Sequence, residues 1–211
     1  MVKQEQSVNR PERFDTLAPD YDRHTLPFEW LLLRRLRRRL LQDAAGTVLE
    51  IGVGTGANFP FYPEGVTLFG VDLAPQMLAR AQARADRLRK TAHLNLMDAA
   101  QLIFPDHSFD TVISTLSLCS LEHPRRTLNE MTRVVRPSGQ LLFVEHGRSR
   151  LALINRWLDR ATPRHLEAFG CCPNLDMEQL LRSMPLRVER VESHLWGIIK
   201  AFWARPVSPT L

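Results

Sequence analysis

Apolar positions fall along this chain in two rhythms, and the switches between them outline the fold. TVLEIG (47–52), VTLFGVD (66–72), LNLMDAA (94–100), TVISTLSL (111–118) and QLLFVEH (140–146) are short, nearly continuous apolar runs, as expected of strands covered on both faces. Between them the period lengthens to that of a helix. In FEWLLLRRLRRRLLQDAAG (28–46), Phe28, Leu32, Leu33, Leu36, Leu40 and Leu41 share a face, the arginines fill the other, and Gly46 is a stop. PQMLARAQARADRLRK (75–90) aligns Met77, Leu78, Ala81, Ala85 and Leu88, and HPRRTLNEMTRVVRP (123–137) reads as the helix before the fifth strand. A weaker, proline-punctuated helix is expected between the first two strands. Such alternation implies a parallel sheet with helices on both faces.

The two ends depart from that pattern. The first ~25 residues are polar and carry Pro11 and Pro19, which predicts an irregular arm ordered against the rest. Residues 149–185 look helical and loop-like, and LRVERVES (186–193) and GIIKAFWARP (197–206) are close enough to pair antiparallel. The fold class is therefore α/β, a Rossmann-like doubly wound sheet of about seven strands, mostly parallel with an antiparallel C-terminal edge. One domain is expected: arm and amphipathic helix over 1–45, a strand-and-helix core over 46–148, a stretch free to cover the strand ends as a lid over 149–185, and C-terminal strands over 186–205.

Composition narrows the classes. With 211 residues, 44% of them hydrophobic and 24% charged, the chain is of ordinary globular type. No run approaches the ~20 apolar residues of a membrane span, and MVKQEQSVNR lacks the apolar centre of a secretory signal, so the expected location is cytoplasmic. Cys119, Cys171 and Cys172 show neither a disulfide framework nor metal-ligand spacing; they are read as reduced thiols that pack or line a pocket, with no metal. The net charge of +5 is local, since five of the six residues 34–39 are arginine. That argues against nucleic acid and leaves a solvated helix face, with peripheral contact to anionic membrane and a partner site as alternatives; no obligate protein partner is evident.

Chemistry concentrates at VLEIGVGTGANF. Gly52, Gly54 and Gly56 follow a strand directly, where a backbone must turn sharply and let a ligand approach. Asp72 closes the second strand twenty positions after Gly52, the spacing at which a carboxylate reaches ribose hydroxyls. Gly52, Gly54 and Ala57 also satisfy the dinucleotide fingerprint, so a nicotinamide-dependent oxidoreductase is a rival, as is a non-catalytic cofactor-binding partner protein. Glu50 favours instead a ligand carrying ammonium and sulfonium groups over a pyrophosphate. Asp98, ending the next strand, is a candidate for an adenine amino group. Met77 and Leu116 complete this candidate set.

With those residues in place, the sequence resembles the class I S-adenosylmethionine-dependent methyltransferases over about residues 14–147. The resemblance rests on VLEIGVGTG, on Asp72 followed by Leu73, on Asp98 beside Ala99, and on FPDHSFDTVIS. FDTLAPDYD is similar to the arm of quinone-biosynthesis C-methyltransferases, which implies that Tyr21 closes over bound cofactor. STLSLCSLEHPRRTLNEMTRVVRPSGQLLFVEHGRS and FGCCPNLD resemble the thiol and lipid-droplet S-methyltransferases and their bacterial relatives, with phosphatidylethanolamine N-methyltransferases as neighbours. Ser138-Gly139 stands where two glycines are usual, and the arm is not a long apolar anchor. What the resemblance implies is methyl transfer from S-adenosylmethionine to a small-molecule or lipid-like acceptor, a thiol, an amine headgroup or a quinone-type ring. Such a displacement chiefly needs the acceptor held and water excluded. His146 and His123, after the fifth and fourth strands, are the candidate bases, Glu145 shares the first position, and Trp157, Phe169 and Cys171 are candidates for the acceptor lid.

Overall fold

A seven-stranded sheet organises the computed structural model, which describes residues 10–23 and 32–207. Its strands are β1 (Thr47–Ile51), β2 (Thr67–Asp72), β3 (Ala92–Leu96), β4 (Phe109–Thr115), β5 (Val135–His146), β6 (Leu186–His194) and β7 (Ile199–Pro206), in the order β3-β2-β1-β4-β5-β7-β6. β1 lies between β2 and β4, parallel to both, and the order reverses there. Ligand crevices of open α/β sheets form outside the carboxyl ends of strands at such a point. β7 enters antiparallel between β5 and β6, as the tail's two apolar runs predict.

The helices are α1 (Arg10–Leu17), α2 (Arg34–Leu41), α3 (Pro75–Leu88), α4 (Pro124–Val134), α5 (Ala152–Phe169) and α6 (Met177–Arg182). Leu33, Leu36, Leu40 and Leu41 of the α2 region pack with Ala81 and Ala85 of α3 on one face of the sheet. Leu128 and Met131 of α4 and Leu181 of α6 cover the other. The central strands, buried on both sides, read as continuous apolar runs for that reason. Phe28, expected at the start of the α2 face, lies outside the described residues.

Three expectations are corrected. The arm is helical over Arg10–Leu17 rather than irregular: Pro11 occupies the helix start, where a missing N–H costs nothing, and Phe14 packs with Ala18, Ala74 and Met77. The expected helix between β1 and β2 is only a 3₁₀ turn at Phe59–Phe61, because Pro60 and Pro63 leave no room for a longer one. The arginines of α2 do not all face solvent, since Arg37 is buried. Ser138-Gly139 sits in β5 where its register to β4 shifts; a Cβ at Gly139 would come within 2.8 Å of Asp110 O, so glycine is required there, whereas Ser138 is exposed.

Leu40 is fully buried beneath the sheet, and Leu153 is 78% exposed on α5. Leu40→Ala should lower unfolding free energy by about 2–5 kcal/mol in a denaturant titration. Leu153→Ala should stay within about 0.5 kcal/mol of the parent.

Candidate active site

At the carboxyl end of β1 the chain reverses through Gly52-Val53-Gly54-Thr55-Gly56, with φ values of +62°, +55° and +75° at the three glycines. Each glycine answers a different demand. A Cβ on Gly52 would lie 2.5 Å from Ser117 Cβ, and one on Gly56 would lie 2.7 Å from the Phe59 ring, so these two allow close packing. Over Gly54 there is open space, the nearest atom being Gly52 O at 4.0 Å. The Gly54 N–H donates to Asp72 Oδ2 at 2.8 Å and the Ala74 N–H to Oδ1 at 3.0 Å, fastening the turn to the end of β2. Burial raises the Asp72 carboxyl, and these backbone donors oppose the rise.

Glu50, on β1 just before the turn, is almost wholly buried. It accepts from Asn58 Nδ2 and Tyr62 Oη, both at 2.8 Å. Burial pushes its carboxyl up to about 7, against the pull of the Tyr62 hydroxyl, the Arg37 guanidinium and the Asn58 amide. Arg37 donates to Asn58 Oδ1 at 2.8 Å and Thr115 Oγ1 at 2.7 Å, so one network holds a buried cation and a buried acid beside the cleft.

The opposite wall follows β4. Leu116 is held at φ +54°, a sparsely populated conformation for a side chain of its size, and its N–H donates to Val144 O at 2.7 Å. Behind it, Glu145 Oε1 gathers Ser114 Oγ, Ser117 N and Leu118 N between 2.7 and 3.2 Å. Glu145 thus shapes the turn and does not line the cleft.

The cleft between these walls is lined by Tyr21, Glu50, Gly52, Gly54, Asp72, Leu73, Met77 and Leu116 among the residues singled out by sequence. α1 lies over it, with Pro11 and Phe14 also in the lining and the Phe14 and Tyr21 rings edge to face at 6.4 Å. The arm is fastened on both sides. Thr55 Oγ1 donates to Asp22 at 2.6 Å, Gln76 N donates to Asp15 at 2.8 Å, Arg84 pairs with Asp22, and Arg13 donates to Ala168 O of α5 at 2.7 and 2.9 Å.

Gly56, Asp98, Ala99, His123 and His146 are not among the lining residues. Asp98 is exposed, because a tight turn after β3, closed by Gln101 N to Asp98 O, folds its carboxylate onto Ala100 N at 2.8 Å. Ala99 is buried in the core on the α4 side of the sheet. His123 is exposed at the start of α4, where its carbonyl accepts from Thr127 N. His146 Nε2 lies 3.3 Å from Cys119 Sγ and 3.5 Å from Cys171 Sγ. Trp157 and Phe169, expected in the lid, are 65% and 52% exposed and also absent from the lining. Sequence reasoning missed Arg37, although its place four residues after Leu33 and four before Leu41 puts it within the apolar stripe. Phe14, Asn58, Tyr62 and Thr115 carried no comparable signal.

An Asp72 carboxylate held beside an open glycine and flanked by apolar side chains suits a ligand with hydroxyls and an apolar ring. Comparison with known proteins agrees. Residues 49–143 match a family described as a methyltransferase domain. The phosphatidylethanolamine N-methyltransferase of Cereibacter sphaeroides is 38% identical over 115 residues, 54% of this chain and 57% of that protein. Human thiol S-methyltransferase TMT1A is 33% identical over 181 residues, 74% of this chain and 73% of that protein. This chain spans about half the length of several curated matches: 57% of the Cereibacter enzyme, 41% of yeast mitochondrial methyltransferase OMS1 and 47% of mouse TMT1B. An S-adenosylmethionine-dependent methyltransferase from Thermotoga maritima superposes with a TM-score of 0.70 at 20% identity, over 93% of this chain and 99% of that one, which shows a shared fold.

Two outcomes test this geometry. Gly54→Ala adds only the strain of a positive φ, about 1–2 kcal/mol, yet puts a methyl group into open cleft; it should fold and lose at least ~10-fold in affinity for S-adenosylhomocysteine by calorimetry. For Glu50, the carboxyl is protonated in both states below its ordinary value of 4.5, whereas between there and about 7 only the unfolded chain ionises. The unfolding free energy of the parent relative to Glu50→Gln should therefore fall as pH rises through that window, by at most ~1.4 kcal/mol per pH unit, and level off above it. A flat difference would mean that Glu50 titrates normally.

Proposed function

Because this chain belongs to the class I S-adenosylmethionine-dependent methyltransferase superfamily, we propose that it moves a methyl group from that cofactor to a small or lipid-like nucleophile. The observation that carries the reading is the Asp72 carboxylate, fixed by Gly54 and Ala74 amides at the rim of an open glycine turn. A carboxylate has about four acceptor sites, so with two backbone donors in place Asp72 can still take ribose hydroxyls. Glu50 supplies negative charge on the side where a cationic amino-acid portion belongs, and Leu73, Met77, Leu116 and Tyr21 supply apolar walls for the base. The residues present therefore fit the cofactor, which when bound supplies an electrophilic methyl on a sulfonium.

The chain's own part is to bind, orient and exclude water; proximity and orientation can contribute about 7–11 kcal/mol. Phe14, Leu116 and Leu121 give the cleft an apolar mouth, which favours an acceptor with hydrocarbon character. With His123 and His146 outside the lining, we assign neither as a base acting on the acceptor. The acceptor then arrives as its free nucleophile, which a thiolate or a neutral amine can do unaided, while a ring carbon must also lose a proton. Thiols and amine headgroups are accordingly the preferred acceptors.

We also propose contact with anionic membrane surfaces, through the exposed Arg34, Arg35 and Arg38 of α2. No helix among the described residues is long and apolar enough to cross a bilayer. Sedimentation with acidic vesicles should show binding that falls steeply with salt; binding that is absent or indifferent to salt removes this reading.

The central test is a labelled-methyl assay against alkyl thiols, phospholipid amines and quinone precursors. Asp72→Ala should lose cofactor affinity and turnover together. His123→Gln should keep turnover within about threefold, and the rate on thiols should rise with pH along the acceptor's own ionisation. Full affinity in Asp72→Ala would overturn the ribose assignment.

A further inference from the structure

Outside the cleft lining, the fold gathers the only other concentration of soft ligand atoms found among the described residues. Cys119 lies in the 3₁₀ turn Leu118–Ser120 after β4, His146 is the last residue of β5, and Cys171 follows the end of α5. Along the chain these positions are 25 and 27 residues apart from His146, which is why no ligand spacing is visible in the sequence. In space their Sγ, Nε2 and Sγ atoms all lie within 4.8 Å of one another.

We propose that Cys119, Cys171 and His146 bind one thiophilic divalent cation of the zinc class. The geometry points there. A tetrahedral ion with bonds of about 2.3 Å to sulfur and about 2.0 Å to nitrogen has sulfur-to-nitrogen edges of roughly 3.5 Å. The two edges at His146 Nε2 are 3.3 Å to Cys119 Sγ and 3.5 Å to Cys171 Sγ. Two thiolates and a neutral imidazole also balance a double positive charge, which suits a half-buried site. His165 Nδ1, 3.4 Å from Cys171 Sγ, stands next to the open corner and could move onto it, or water could fill it.

The arrangement is held by contacts other than the ligand atoms. Cys172 N donates to Cys119 O at 2.8 Å, tying the two cysteine segments backbone to backbone. Gly170 ends α5 at φ +70° and lets the chain double back so that Cys171 meets His146. Binding M²⁺ by two thiols and an imidazole releases two protons and changes no oxidation state. The ion would rivet the segment after α5 to the ends of β4 and β5, directly behind Ser117 and Ser120 of the cleft wall. This site is independent of which acceptor is methylated.

Cobalt titration of the reduced, metal-stripped full chain tests the proposal. One equivalent should produce thiolate-to-cobalt charge transfer in the near ultraviolet and visible bands of tetrahedral cobalt, both erased by zinc. Cys119→Ser and Cys171→Ser should each cut the charge-transfer intensity at least ~twofold, His146→Gln should weaken cobalt binding at least ~10-fold, and Cys172→Ser should keep the parent spectrum. Zinc should raise the melting temperature of the parent and of Cys172→Ser while leaving Cys171→Ser unmoved. Absence of charge transfer in the parent, its full intensity in Cys171→Ser, or peptide mapping that shows a Cys119–Cys171 disulfide in the chain as isolated would each overturn the assignment; the parent titration stands even if a variant fails to fold.

Discussion

The bond from the Gly54 amide to the Asp72 carboxylate spans the gap between the ends of β1 and β2, and the geometry of the cleft is set from it. It needs a left-handed backbone at Gly54, a strand that ends in an acid at Asp72, and parallel pairing of Glu50 with Gly70 and Ile51 with Val71 to bring the two ends level. Gly52 then passes close against Ser117, which joins the turn after β1 to the turn after β4. Three neighbouring strands thus present their ends as one rim, and helix packing on both faces keeps that rim from shearing.

Charge is handled unevenly around this rim. Asp72 keeps its polar surroundings in backbone amides, whereas Glu50 and Arg37 are both withdrawn from water and share Asn58 and, through it, each other's field. Buried ions cost desolvation energy unless each lone pair and proton is met, and here Asn58, Tyr62 and Thr115 meet them. A raised carboxyl at Glu50 is the residue of that cost. A cationic ligand beside it would restore the ionised form, so the strain resides where binding can relieve it.

Much of this was legible in the sequence, and the reason is periodicity. β1, β2, β4 and β5 are buried on both faces, so their apolar runs are unbroken, and the glycine turn and Asp72 keep a spacing set by one strand-turn-helix-strand unit. Asp98 had the right position along the chain, but a local turn closed by its own backbone decides where its side chain goes. Arg37 was hidden because an arginine within an arginine-rich helix looks solvated, although its helical phase matches Leu33 and Leu41. The meeting of Cys119, His146 and Cys171 depends on three separate chain reversals, which no local pattern encodes.

The arm has a mechanical consequence. The arm is anchored to the glycine turn through Asp22 and Thr55, to α3 through Asp15 and Gln76, and to the far end of α5 through Arg13 and Ala168. The same arm lines the cleft through Pro11, Phe14 and Tyr21, so a displacement of this clasp would change the cleft wall and release α5 together.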